Sequence, residues 1–170
     1  EIILPDTIIN IGSCAFWQCK KLTSINLPDS IQRIGIGAFY ACAELTKVTL
    51  PKNLTAINSE LFSRCYSLSE INIPDYVTYI SRYAFNECKN LAKISIPDKV
   101  SRIEDFAFYS CKNLSEVTIP ESVTDIGKEI LSLFKTLNEQ GTTIILVTHD
   151  EKIGHSAPRC IKLLDGKLNV

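Results

Sequence analysis

No run of apolar residues in this sequence approaches the roughly 18 needed to cross a bilayer as a helix, so a membrane span is excluded from it. Neither sign of charge is in excess: 18 Lys and Arg face 19 Asp and Glu, for a formal net charge of −1. That balance supplies no sequence-independent attraction to phosphates, and nucleic acid is set aside as a partner. The 7 cysteines are odd in number, which argues against a complete disulfide framework. The opening Glu1-Ile2-Ile3-Leu4-Pro5 has no Met, basic n-region or cleavage site and reads as a cut, so the missing leader says nothing about secretion. What is present is ordinary globular usage, with 45% hydrophobic and 22% charged residues. A chain of 170 residues is long enough for one buried domain, or for one repeat array with a small appendage.

Prolines recur at Pro5, Pro28, Pro51, Pro74, Pro97 and Pro120, every 23 residues without slippage. Phe16, Phe39, Phe62, Phe85 and Phe108 keep the same beat, as do Cys19, Cys42, Cys65, Cys88 and Cys111, and Leu22, Leu45, Leu68, Leu91 and Leu114. Self-similarity at a fixed period is the signature of a stacked repeat. Five whole units are visible, and only the third departs at the Ala position, where Leu61 replaces the residue found at Ala15, Ala38, Ala84 and Ala107. In Leu22, Ile25 and Leu27 the spacing turns alternate side chains of a short strand inward. Proline then closes the strand because it has no N–H for a ladder, and the Asp that often follows it (Asp6, Asp29, Asp75, Asp98) suits a turn. The A-F-x-x-C spacing fits one helical or 3₁₀ turn folded back on the strand. One unit cannot bury its own apolar face, whereas stacked units with parallel strands roughly 4.8 Å apart can. The expected fold class is therefore α/β: a solenoid of parallel strands over residues 1–126, followed by a small α/β remnant over 127–170.

Residues 1–126, with this pattern in every unit, resemble the BspA-like subclass of leucine-rich repeats, known from bacterial surface proteins and some protozoan surface families. The resemblance implies extracellular adhesion or protein binding, a cell-surface or secreted location, no cofactor and no catalytic residues. Function is then expected on the surface columns. The strand positions between the inward residues form one concave column of Glu1, Ser24, Lys47, Glu70, Lys93 and Glu116, and a second of Ile3, Asn26, Thr49, Asn72, Ser95 and Thr118. From Lys47 onward the first column alternates in sign, which predicts a ladder of exposed Lys–Glu pairs of small individual worth. Ser24, Asn26, Lys47, Thr49, Glu70, Asn72, Lys93, Ser95, Glu116 and Thr118 are the candidate binding residues for a protein or other surface macromolecule. Neither column holds the large aromatic anchors that dominate binding hot spots. Trp17, Tyr40, Tyr66, Tyr83 and Tyr109 lie beside the A-F-x-x-C turn, which makes the convex side a rival surface. The five in-phase cysteines form a row rather than a tetrahedral cage, so they read as buried thiols and not as a metal site.

After Ile126 the beat stops, and residues 127–170 read as helix, strand, helix and hairpin. Ile130, Leu133, Phe134 and Leu137 lie on one helical face that ends near Gly141. Thr142 to Thr148 is a β-branched apolar run of the buried parallel type, and Asp165-Gly166 is a hairpin signal. The residues Gly127-Lys128-Glu129-Ile130-Leu131, Leu137-Asn138, Gly141 through His149-Asp150, Ala157-Pro158-Arg159 and Leu164-Asp165-Gly166-Lys167 resemble the C-terminal end of an ABC-transporter ATPase of the lipoprotein-release and macrolide-export branch. That resemblance maps the switch histidine, which contacts the γ-phosphate, onto His149, and implies a cytoplasmic origin. Hydrolysis further needs a Gly-rich loop with Lys, a Ser/Thr and an Asp for Mg²⁺, and the family's signature loop, none of which this sequence contains. His149 is thus a switch-histidine relic, ATP is not an expected ligand, and no enzyme is expected. The alternative function is that of a truncated ABC ATP-binding subunit. Two pieces whose parent families work on opposite sides of a membrane read as a chimera. The apolar helix face is also expected to cap the open solenoid end around Val117, Ile119, Val123 and Ile126.

Overall fold

The computed structural model describes residues 2–139, 143–146, 163–164 and 167–168. One set of short strands follows the Leu-x-x-Ile positions: β1 (Ile2–Ile3), β3 (Ser24–Asn26), β5 (Lys47–Thr49), β8 (Lys93–Ser95) and β10 (Glu116–Ile119). A second set precedes the turn of each coil: β2 (Asn10–Ile11), β4 (Arg33–Ile34), β6 (Ala56–Ile57), β7 (Tyr79–Ile80), β9 (Arg102–Ile103) and β11 (Asp125–Ile126). All of these pairings are parallel and shift by one repeat, as in Ile25 opposite Val48 and Ile80 opposite Ile103. Inward residues stack between the strands, so that Leu45, Leu68, Leu91, Ile34, Ile57 and Ile80 are almost wholly buried.

Between Ile2 and Ile126 the chain forms no helix, and the expected α/β class is corrected to a parallel β-solenoid. The reason lies in the A-F-x-x-C turns, which were expected to be helical or 3₁₀. Cys14, Gly37, Glu60, Tyr83 and Phe106, and then Gln18, Ala41, Arg64, Glu87 and Ser110, all have left-handed φ values between 54° and 61°. Outside glycine each such residue costs roughly 1–2 kcal/mol. The conformation turns every second amide along the solenoid axis: Gly37 N–H donates to Ser59 O (3.0 Å), Phe39 N–H to Leu61 O (3.1 Å) and Ala41 N–H to Ser63 O (2.8 Å). The next coil repeats the pattern from Glu60, Phe62 and Arg64 at 3.1, 2.8 and 2.7 Å. A helical turn would consume these amides internally and leave the coils unjoined.

The same turns order the Phe column. Phe39, Phe62, Phe85 and Phe108 are fully buried, with successive ring centroids 5.5–5.6 Å apart and planes within 16°. Each buried thiol has a hydrogen-bonding role as well as a packing one: Cys42, Cys65, Cys88 and Cys111 Sγ donate to Phe16, Phe39, Phe62 and Phe85 O at 3.1–3.2 Å. Burial raises these thiols, Cys42 to about 11 and Cys111 to about 12, with Cys65 and Cys88 shifted the same way. Because the folded state holds these protons more tightly, their contribution to stability is complete below the ordinary value of 9.0 and is lost as pH rises through the folded values. In native chain at pH 8, a thiol alkylating agent should label the exposed Cys14 and leave Cys42, Cys65, Cys88 and Cys111 intact, as peptide mass spectrometry would report. Rapid labelling of those four would contradict the packing.

The first described helix, α1 (Lys128–Glu139), follows the repeats. Ile130 is 1% exposed within the solenoid core, Leu133 packs against that core, and β12 (Thr143–Leu146) extends the sheet in parallel register with β10, Val117 opposite Ile144. The side chains of Phe134 and Leu137 lie outside the described residues. An antiparallel pair, β13 (Leu163–Leu164) with β14 (Lys167–Leu168), lies at the far end. The helix expected before this pair, its Asp165-Gly166 turn, His149 and Cys160 lie outside the described residues.

Candidate functional site

Alternation along the strands places Asn26, Lys47, Thr49, Glu70, Asn72, Lys93, Ser95 and Thr118 on the exposed face while Ile25, Val48, Ile71, Ile94 and Val117 point inward; Ser24 is half-buried, and the Glu116 side chain lies outside the described residues. The two polar columns are therefore brought together on one face. The uninterrupted Lys–Glu ladder expected there is absent from its first step: neither Lys47 nor Glu70 has an ion-pair partner among the described residues. Ion pairs form off this column at Lys52–Asp29 (3.4 Å), Arg64–Glu87 (3.1 Å), Lys89–Glu87 (3.9 Å) and Arg102–Asp125 (2.8 Å), among others. At the first of these the Asp29 carboxylate accepts the Lys52 backbone N–H at 2.9 Å, which chiefly holds it below the usual carboxylate range.

An interruption in the sheets explains the missing step. One strand face ends at β5 and resumes at β8, and between them Glu70 makes only an isolated bridge to Lys93. Leu27 N–H donates to Thr49 O (3.0 Å) and Ile96 N–H to Thr118 O (3.4 Å). The equivalent bonds from Leu50 to Asn72 and from Ile73 to Ser95 do not form among the described residues. The second sheet breaks at the same junction, between β4 and β6. There the Asn58 side chain replaces a backbone amide, its Nδ2–H donating to Ile34 O at 2.6 Å, where Gly35, Ser81 and Glu104 use their own N–H groups on the preceding coil. An Asx side chain competing for a backbone acceptor is a known way to interrupt a ladder. The same unit carries the fully buried Leu61 in the Ala column, and its extra carbons add volume between stacked coils.

Over this interruption lies a groove of about 790 Å³ lined by Lys47 to Leu50, Glu70 to Asn72 and Lys93 to Ser95, with Lys52, Pro74, Asp75 and Tyr76 at its proline corner. Column reasoning identified most of the strand residues and missed this corner. Leu61, the departure in unit three, is the sequence signal that marks it; Asn58 stands in a column that varies (Gly12, Gly35, Ser81, Glu104) and gave none. On the turn side Trp17 and Tyr109 are both 55% exposed, whereas Tyr40, Tyr66 and Tyr83 are half-buried under cations: Arg64 over Tyr40 (5.7 Å), Lys89 over Tyr66 (4.5 Å) and Arg82 over Tyr83 (5.0 Å). Much of that aromatic surface is already engaged within the chain. Among the described residues no cluster of three or more His, Cys, Asp or Glu could hold a metal, and no helix is long and apolar enough to cross a membrane.

A family model described as BspA type leucine rich repeat region matches residues 1–102 and 55–163, in six copies. The chain belongs to the BspA-type leucine-rich-repeat family. Among solved structures, this BspA-type chain is similar to a leucine-rich cell surface protein of Faecalibacterium prausnitzii A2-165, at 31% identity and a TM-score of 0.64, over 79% of this chain and 33% of that one. It is also similar to a leucine-rich-repeat protein of T. pallidum, at 28% identity and a TM-score of 0.68, over 74% of this chain and 68% of that one. A short stretch is similar to a different class. It is 54% identical over 39 residues to a macrolide export ATP-binding/permease protein of Bdellovibrio bacteriovorus, and 56% identical over 45 residues to a putative ABC transporter ATP-binding protein of Mycoplasma pneumoniae. The chain spans 6% of the length of the first of these proteins and 16% of the second. A leucine-rich-repeat solenoid is a fold of protein interaction, consistent with the absence of enzymatic activity.

Proposed function

We propose that the chain is a protein-binding module of a cell-surface or secreted leucine-rich-repeat protein, and that it binds through the strand face carrying Lys47, Thr49, Glu70, Asn72, Lys93 and Ser95. The observation that carries this reading is the groove of about 790 Å³ on that face, ringed by exposed polar side chains. A polar rim around a recess is what a moderately tight macromolecular contact requires. The similarity to a cell surface protein supports the location.

Site-specific photo-crosslinking tests the face. A crosslinker placed at Thr49 or Ser95 should capture a surface macromolecule from the native setting, and one placed at Trp17 or Tyr109 should not. Capture from the turn side alone would contradict the assignment.

The ATP-binding alternative is favoured by the short ABC-type match, but it would need a phosphate-cradling loop that the sequence does not contain. In this reading the segment from Gly127 onward serves as a cap, with Ile130 and β12 covering the last coil. Mg²⁺-ATP is expected to leave the melting temperature unchanged, and a ligand-dependent rise would revive the alternative.

A further inference from the structure

Unpaired amides and carbonyls within an otherwise bonded parallel sheet are the chemical complement of another polypeptide backbone. At unit three Leu50 lacks the bond to Asn72 that Leu27 makes to Thr49 one coil before, so its amide faces the gap unpaired, while the bond missing at Ile73 lies on the far side of its coil, toward Ser95. The lining of the gap is slightly more exposed at Val48, Leu50 and Ile71, at 6–7%, than at Ile73, Ile94, Ile96 and Val117, at 0–4%. Lys47 and Glu70, opposite in sign and without ion-pair partners among the described residues, stand on the two sides of the gap. The turn side of the same junction stays bonded through Phe39 to Leu61 and Ala41 to Ser63, at 3.1 and 2.8 Å. The two coils are thus held at their turns, with Ser67 N–H also donating to Ala43 O (3.2 Å), while the stretch from Lys47 to Leu50 carries no ladder to the next coil.

We propose that this interrupted stretch accepts one extended strand of a partner polypeptide, hydrogen-bonded to the backbone between Lys47–Leu50 and Glu70–Ile73. This deepens the protein-binding reading and rests on it, adding that the partner contributes a β-strand rather than a folded surface. Strand addition draws affinity from main-chain bonds and selectivity from alternate side chains. Here Lys47 selects for a carboxylate and Glu70 for a cation on the outward side of the incoming strand. The inward side must be apolar, because it meets Val48 and Ile71.

The probe is an acetylated, amidated six-residue peptide that alternates apolar residues on one face with one Glu and one Lys on the other, the pattern that Lys47 and Glu70 select. It would be titrated to millimolar concentration into the full chain and followed by amide NMR. Shifts confined to residues 46–52 and 69–76, with exchange at Leu50 slowed roughly tenfold or more and that at Ile73, whose amide points away from the gap, unchanged, are the expected result. The outer edge of β1 is the built-in competitor. Shifts only at Ile2–Leu4, or none at all, would overturn strand acceptance at unit three. Crosslinking from Thr49 and Ser95 reads the broader face assignment separately, so a folded partner captured there without peptide binding would leave that assignment standing and remove this one.

Discussion

Replacing Phe85 by Ala should lower the unfolding free energy by about 3–5 kcal/mol, the range for a buried aromatic truncated in a core that cannot collapse around the loss. Phe85 is fully buried and stacks on both Phe62 and Phe108, at 5.6 and 5.5 Å. The coils on either side are fixed by turn bonds from Phe62 to Ala84 and from Phe85 to Ala107, both 2.8 Å, so the cavity cannot close by sliding one coil. In a quasi-one-dimensional array each coil rests on its neighbours alone, and a weak coil in the middle uncouples the two ends. Urea denaturation should show a lowered midpoint and a broadened or biphasic transition. Phe16, half-buried at the open end and stacked on one neighbour, should cost clearly less when truncated. Equal losses at the two positions would mean that the array does not fold as stacked coils.

Removal of residues 127–170 should be nearly as damaging. Val117, Ile119 and Val123 are 0–2% exposed beneath the final segment, and Ile130 belongs to the same core. The deletion takes away the four paired positions between β10 and β12 together with the Ile130 contact. Truncating a buried Ile alone costs roughly 2–5 kcal/mol, and each kcal/mol shifts Tm by about 2–4 °C at this chain length, so a fall of roughly 4 °C or more is expected. Ile130→Ala should reproduce part of the fall without changing chain length. An unchanged or raised Tm in both variants would remove the capping role. The segment after the repeats can cap this solenoid because a β-branched run suited to a buried parallel sheet is what the edge of β10 accepts.

The repeat was legible because its chemistry is periodic. Each unit after the first buries the same Leu, Ile, Phe and Cys positions, and the 23-residue beat of proline fixes the register. The inward and outward alternation around Ile25, Val48 and Ile94 was likewise fixed by the strand period of two. The turn conformation was not legible. A spacing of three to four between Ala, Phe and Cys satisfies a helical turn, and what forbids the helix is a requirement from outside the unit: the amides of Phe39 and Ala41 must reach the next coil. No local pattern contains that demand, and the residues that adopt left-handed φ include Tyr83, Phe106 and Glu60, whose types do not announce it.

The candidate face was readable as columns, because exposure follows from alternation. Its interruption was not, since an even Lys–Glu alternation suggests an even ladder. Leu61 was visible as a departure and Asn58, in a column that varies from unit to unit, was not; the role of either shows only once the lost bond is seen.

The central claim, that the coils are joined along their turns and open on the strand face at unit three, is tested most directly by residue-resolved hydrogen exchange on the full chain. The amides of Phe39, Phe62 and Phe85, together with Leu27, should be strongly protected, whereas Leu50 and Ile73 should exchange roughly a hundredfold faster or more. Protection of Leu50 and Ile73 equal to that of Leu27 would show a continuous ladder and contradict the account.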